Sequence, residues 1–543
     1  MTGLDCRETP MHDLLTDPLV RVRLHDGPAT LTLPGVYAAL AGDAVEAFTA
    51  LRPHQRHAWH MFLAQVGALA LHRGGLDAPP ATEAAWADLL RALTPEQEQT
   101  AWALVVEDVT RPALLQPPVP QGGIAALPRR IATPDALDVL ITAKNFDLKG
   151  AVAADAAPDD WLFALVSLQT MEGFLGAGNY GVARMNGGFS ARPFLGLAPE
   201  GGVGAHVSRD MRAMLALRGA MLETYEVYPE HGGLGLTWLA PWDGATALRM
   251  ADLDLWFVEV CRRVRLVAEP AGRLSARSVG TASARIAAKE LNGVTGDFWA
   301  PVNRDEGKAF SLDARGFSTR VLTRLLFGEG GKTLFTLSPA MAPQPGEGAM
   351  RLVARGVTRG QGKTEGLHER IVPFRRRTAS AFAASLEHER LAALAEHLQK
   401  EADQVGKALR LGCAVVACGG GAPSKDDYAA AAPYQSRLNA VVESQFFEAL
   451  QDRFEAGEAD APAARAPWLR SLVKAATALL SEAAETIPCA TLNRPRARVR
   501  AWRAFRGALW GPKSLLADDR ALIEETADAA ATDNADAAPA PAG

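Results

Sequence analysis

Near Arg375-Arg376-Arg377 the texture of the chain changes, and this constrains the fold more than any single motif. Beyond it, apolar residues recur at helical spacing through 378–418, 433–457, 465–486 and 496–525, the last interrupted at Gly511-Pro512. The linkers 418–427 and 457–467 carry Gly, Pro and Asp, which end helices. Four amphipathic helices with short connections cover their apolar stripes by packing on one another, so the pattern predicts a bundle. From about Ala527 the chain is Ala, Asp and Pro without apolar periodicity, which predicts a disordered acidic tail over 527–543.

Upstream the texture is mixed. Leu19, Val20, Val22 and Leu24 precede an Asp26-Gly27-Pro28 turn and Leu31 and Leu33 follow it, a hairpin signal. Residues 54–72 place Trp59, Phe62, Leu63, Val66 and Leu69 on one helical stripe, and a second helix is expected over about 94–109. Pro112, Pro117, Pro118 and Pro120 break the chain into a loop. Strand-like runs (DVLITA, KTLFTLS, AMRLVARGV) then alternate with helix-like ones (DWLFALVSLQTMEGFL, DLDLWFVEVCRRV) and Gly-rich loops. The expected fold class is α+β: a large irregular mixed α/β domain over 1–376, then an all-α four-helix bundle over 377–526.

The 543 residues exceed what one core usually supports, and 48% apolar residues exclude a disordered, collagenous or coiled-coil chain. Lys plus Arg number 57 against 62 Asp plus Glu, so a globally basic nucleic-acid protein is excluded, though a locally basic one is not. No apolar run approaches the roughly 18–20 residues of a membrane span. The first ten residues lack the apolar core of a signal peptide, and both Met1 and Met11 are candidate starts. Five scattered cysteines argue against a disulfide framework and for a cytoplasmic location; Cys413 and Cys418, in LGCAVVAC, read as buried thiols.

Two GKT sequences, at 331–333 and 362–364, invite a nucleotide-binding reading. A phosphate-binding loop needs a glycine five residues before its lysine, and those positions hold Phe327 and Thr358. His54, His57 and His60 share the start of a helix, but no cysteine or carboxylate nearby in sequence completes a metal site. GxSxG and HExxH are absent, and acids such as Glu172 and Asp297 stand alone. No catalytic residue, metal or cofactor is expected.

Charge is unevenly distributed. Residues 351–377 hold Arg351, Arg355, Arg359, Lys363, Arg370 and Arg375 to Arg377, opposed only by Glu365 and Glu369. Residues 494–506 hold six arginines with Trp502 and Phe505 interleaved. Concentrated arginine suits a phosphate backbone, and it also suits a solvated helix face or packing between bundle helices.

Several segments together resemble one family. They are LLTDPLVRVRL…LTLPGVYAAL, LRPHQRHAWHMFLAQVGALALHR, LDVLITAKNFDLKG, DDWLFALVSLQTMEGFLGAGNYGVARMNGGFSARP, and a basic Gly-Gln-Gly loop before a helical C-terminal region. The family is the large subunit, CasA, of the type I-E CRISPR Cascade surveillance complex. Leu19 stands where the family usually has an aromatic, and only Cys261 stands where some members have a cysteine-rich zinc site. The resemblance implies a non-catalytic protein that recognises the protospacer-adjacent motif in duplex DNA, starts strand separation and R-loop formation, and recruits a helicase–nuclease. The crRNA and other Cascade subunits are its implied partners, and sequence reading is left to the guide.

Residue by residue, the resemblance makes Gln361 a wedge at the first target base pair, with Gly360 and Gly362 around it and Arg359 and Lys363 on flanking phosphates. It makes Asn145, Phe146 and Lys149 the anchor at the crRNA handle. Lys289 becomes the minor-groove lysine, beside a hairpin expected near 168–173. Two other readings stay open: a nucleotide-dependent hydrolase using a GKT loop, and a purely structural scaffold subunit.

Overall fold

The computed structural model describes residues 11–97, 99–120, 122–138, 155–360, 363–457 and 459–524. They divide into two units: Met1–Phe317 with Leu334–Ala379, and Ser318–Thr333 with Ser380–Gly543. The division near Ala379 lies beside the texture change in the sequence. Assignment of Ser318–Thr333 to the C-terminal unit was not visible there.

In the N-terminal unit, Val20–Leu24 and Gly27–Leu31 pair antiparallel, closing at Leu24 opposite Gly27. Val45–Phe48 adds a third strand on the other side of Val20–Leu24. The helix expected from 54 runs Arg56–Arg73, but it is not amphipathic in its setting. Every residue from His57 to Leu71 is buried, polar ones included. Trp59 stacks on Phe62 at 5.4 Å and meets the edge of Phe163 at 5.0 Å. Gln65 is accommodated because its amide donates to the Phe257 carbonyl at 2.8 Å.

Two expected helices are corrected. Over 94–109 the chain makes turns and then the short strand Ala103–Val105, paired with Met11–Asp13. Thr94-Pro95 suits a helix start, but the apolar run after it buries on all sides as a strand, which periodicity alone does not separate from a buried helix. DLDLWFVEVCRRV is likewise not helical: Leu253–Val258 and Arg263–Ala268 are strands. All six residues of Leu253–Val258 are buried, and such a run cannot be told from a buried helix by periodicity alone. DVLITA lies almost wholly outside the described residues.

The long hairpin Met350–Gly360 and Lys363–Phe374 dominates the last part of this unit. Phe194–Pro199 pairs along its other edge, but only from Met350 to Arg355. Beyond Arg355 that edge has no strand partner among the described residues, and the hairpin continues as a two-stranded ribbon towards Gly360 opposite Lys363.

The C-terminal unit holds four long helices, Ser385–Ala417, Ala432–Glu455, Ala461–Thr486 and Arg494–Trp510. The helix Thr319–Phe327 joins them: Glu443 accepts from the Thr319 amide at 2.8 Å, and Phe327 stacks on Phe382 at 6.1 Å. A Cβ on Gly412 would lie 2.8 Å from Leu480 Cδ1, so glycine permits that helix crossing. At its centre Glu401, wholly buried, accepts from Arg453 at 2.7 Å, Arg465 at 2.6 Å and His397 at 3.0 Å. None of the described helices is long and apolar enough to cross a membrane.

Candidate nucleic-acid interface

The segment expected to act as a wedge connects, in sequence, the two strands of the long hairpin. The register pairs Arg359 with Thr364 and Gly360 with Lys363, after an irregularity between Thr358 and Arg359. Gln361 and Gly362 lie between these last partners and outside the described residues, as do Asn145, Phe146 and Lys149.

Arg359 requires a correction. Its guanidinium does not face solvent phosphates; its side chain is 1% exposed and is ion-paired with the carboxylate of Glu172. Burial pulls it down to about 10. Glu172, which stood alone in the sequence, thereby ties the hairpin to the segment after the helix Pro158–Met171. Asp297 is also paired, accepting from Arg192 at 2.5 and 2.9 Å.

The segment after Glu172 is the feature sequence reading missed. The expected hairpin near 168–173 is not formed, because helix continues to Met171. Instead residues 173–188, GFLGAGNYGVARMNGG, fold as a loop with six glycines. A Cβ on Gly181 would lie 2.6 Å from the Gly173 carbonyl carbon, so the two limbs approach too closely for a side chain. Buried side chains hold the loop from beneath. Glu259 accepts from the Ala183 amide at 2.6 Å, and Arg262 donates to the carbonyls of Gly173, at 3.2 Å, and Tyr180. Burial pushes the Glu259 carboxyl up to about 7, against Arg184 and Arg192 nearby. Glycine density was the available signal.

Lys289 meets this loop. It opens the short 3-10 turn Lys289–Leu291, is exposed, and has no ion-pair partner among the described residues. With Phe174, Tyr180, Val182, Asn186 and Ile286 it lines a cleft of about 480 Å³. Hence the glycine loop adjoins Lys289 on one side and is tied to the hairpin at Glu172–Arg359. A free ammonium beside a half-buried loop of small residues suits contact with a groove of duplex DNA.

The fold accounts for many of the clustered arginines. Arg351 donates to the carbonyls of Pro199 and Gly201 at 2.9 and 2.8 Å, and Arg355 pairs with Glu369. In the bundle, Arg496 and Arg500 donate to the Gly419 and Gly420 carbonyls at 3.0 and 2.8 Å, just beyond the helix Ser385–Ala417. Arg494 does the same for Ala484 at 2.9 Å. Cations on these carbonyls also complement the helix dipoles.

Neither GKT has the strand–loop–helix setting of a phosphate cradle. The first follows the helix Thr319–Phe327, in a turn where Glu329 and Lys332 exchange backbone bonds of 3.0 and 3.1 Å. In the second, Lys363 and Thr364 open the hairpin strand Lys363–Phe374, and Gly362 is outside the described residues.

No protein-family model and no curated protein matches the chain. Solved structures do. The CRISPR-associated protein Cse1 from Acidimicrobium ferrooxidans superposes with a TM-score of 0.62 at 16% identity, over 92% of this chain and 98% of that one. The fold is that of the Cse1 (CasA) proteins. Cse1 from Thermobifida fusca gives 0.58 at 16% identity, covering 92% and 98%. Thermus thermophilus CasA gives 0.56 at 15%, covering 92% and 99%. The Cse1 fold thus extends through both units, including the helices after residue 380.

Proposed function

We propose that this chain is the non-catalytic large subunit of a cytoplasmic type I-E Cascade surveillance complex. In this reading it recognises the protospacer-adjacent motif in double-stranded DNA, starts R-loop formation and recruits the helicase–nuclease. The observation that carries it is the grouping of the glycine loop 173–188, the unpaired Lys289 and the turn end of the 350–374 hairpin on a Cse1 fold. Lys289 and the loop approach the minor groove, whose degenerate pattern favours tolerant motif reading. Gln361, between Gly360 and Gly362, wedges the first base pair, and Lys363 holds a phosphate. Arg359 acts through Glu172, fixing the hairpin to the loop. Asn145, Phe146 and Lys149 bind the crRNA handle and neighbouring subunits.

A gel-shift titration tests this reading. Cascade is reconstituted with and without the chain, on targets with one protospacer and a randomised flanking trinucleotide. The reading requires that the chain be needed and that some flanks bind far better. Binding indifferent to both the chain and the flank overturns it.

A further inference from the structure

The histidines at the start of the Arg56–Arg73 helix go to different partners. His54 meets Asp138 at 2.8 Å, and neither ring nitrogen of His57 makes a hydrogen bond. His60 meets Asp210, far away in sequence, at 2.9 Å. Asp210 lies one turn after His206 on the helix Val203–Thr224, so both face His60. The two imidazole rings are 4.2 Å apart. His206 Nε2 lies 3.8 Å from Asp210 Oδ2, too far for a hydrogen bond, and makes none with the other described residues, although its side chain is only 10% exposed.

We propose that His60, His206 and Asp210 form a binding site for a divalent transition-metal ion of the zinc class. Their ligand atoms all lie within 4.8 Å of one another. Ligands on one tetrahedral ion at about 2.0–2.1 Å stand roughly 3.3 Å apart, between the two spacings seen here. The ion accounts for the orphaned His206 nitrogen, which a hydrogen-bonded His60–Asp210 pair does not.

The surroundings fit a cation. Arg209 donates to Asp210 Oδ1 at 3.2 Å but also pairs with Glu347 at 2.9 Å, Arg192 pairs with Asp297, and Arg355 with Glu369. Arg209 is thus shared between Asp210 and Glu347, and Arg192 and Arg355 each have another acid, so Asp210 has no arginine to itself. Trp299 donates to Asp210 Oδ2 at 2.8 Å and orients the carboxylate, as outer hydrogen bonds do around metal ligands. Phe194 packs against both rings, at 5.2 and 5.8 Å. His60 and His206 also border a cavity of about 470 Å³, which gives an ion a route in and room for a water as fourth ligand. Arg56 and Arg351 border that cavity too and favour an anionic exogenous ligand there.

The test uses the tag-free full chain, stripped with chelator and dialysed against Zn²⁺ or Co²⁺. The expected result is about one equivalent per chain, a zinc-dependent rise in melting temperature, and cobalt bands of a four-coordinate site. His206→Ala and Asp210→Asn lose the bound metal and the rise. X-ray absorption on the zinc-loaded wild type, which needs no variant, shows a nitrogen/oxygen shell with imidazole scattering. A wild type that holds no metal, a sulfur-containing shell, or metal retained by both folded variants overturns the proposal.

Discussion

Arg359 and Glu172 face each other inside the N-terminal unit, guanidinium on carboxylate, with side chains 1% and 3% exposed. The pair joins the turn end of the long hairpin to the start of the glycine loop. Removing one partner leaves a buried charge, so Glu172→Gln or Arg359→Ala should cost about 3–5 kcal/mol. Denaturant unfolding measures this. DNA affinity should fall through hairpin placement, with the slope of log affinity against log salt unchanged. A slope lowered by Arg359→Ala would instead show a direct phosphate contact.

Lys289→Ala should weaken duplex binding by about 1–3 kcal/mol and flatten the preference among flanking trinucleotides. Unfolding should not change, because the lysine is exposed and unpaired. Competition binding on the flank library reads both effects. Undiminished discrimination would remove Lys289 from the reading site.

Gln361→Ala and Lys363→Ala should separate two steps. The first spares initial binding and slows R-loop opening, followed by permanganate footprinting or a fluorescent base. The second weakens binding to all sequences and lowers the salt slope by roughly one ion. Equal loss of binding and opening for Gln361→Ala counts against a wedge.

Glu259 sets a pH dependence. Its carboxyl is raised to about 7 in the folded chain, so the folded state holds its proton where the unfolded chain has released it. Stability from this group is present below the ordinary carboxylate value and is lost as pH rises through 7. Glu259→Gln should therefore stabilise the protein at pH 8, by on the order of 3 kcal/mol, with the advantage vanishing near pH 4. Melting temperatures across that range check the sign.

Glu401 has the opposite sign. Burial alone would raise its carboxyl, but His397, Arg453 and Arg465 outweigh that and hold it at about 2. Its contribution is full above the ordinary carboxylate value and disappears as pH falls towards 2. Glu401→Gln should cost about 3–5 kcal/mol at pH 7, much less at pH 3. Helical circular dichroism during urea unfolding follows it.

Local signals were legible and distant pairings were not. The Val20–Leu31 hairpin and the C-terminal helices follow from turn chemistry and periodicity, which act over a few residues. The run Leu253–Val258 misled because burial on all sides erases periodicity. His60 lacked a carboxylate in sequence because Asp210 comes from another helix, and Arg359 looked free because Glu172 is far along the chain. Lys289 could be picked out by resemblance, but its neighbour, the glycine loop, became evident only once the helix was seen to run on to Met171.

The helix Thr319–Phe327 belongs to the C-terminal unit, yet it leaves the ribosome before the hairpin that completes the N-terminal one. While Met350–Phe374 is being synthesised, Leu322, Leu325, Leu326 and Phe327 await a covering made from residues beyond 380. Nascent chains stalled between about residues 330 and 380 therefore expose a greasy helix that chaperones can hold. A fragment starting at 380 is born without it. The C-terminal unit is thus interleaved with its predecessor in time as well as in sequence, and truncation at the visible change of texture removes part of what it was meant to isolate.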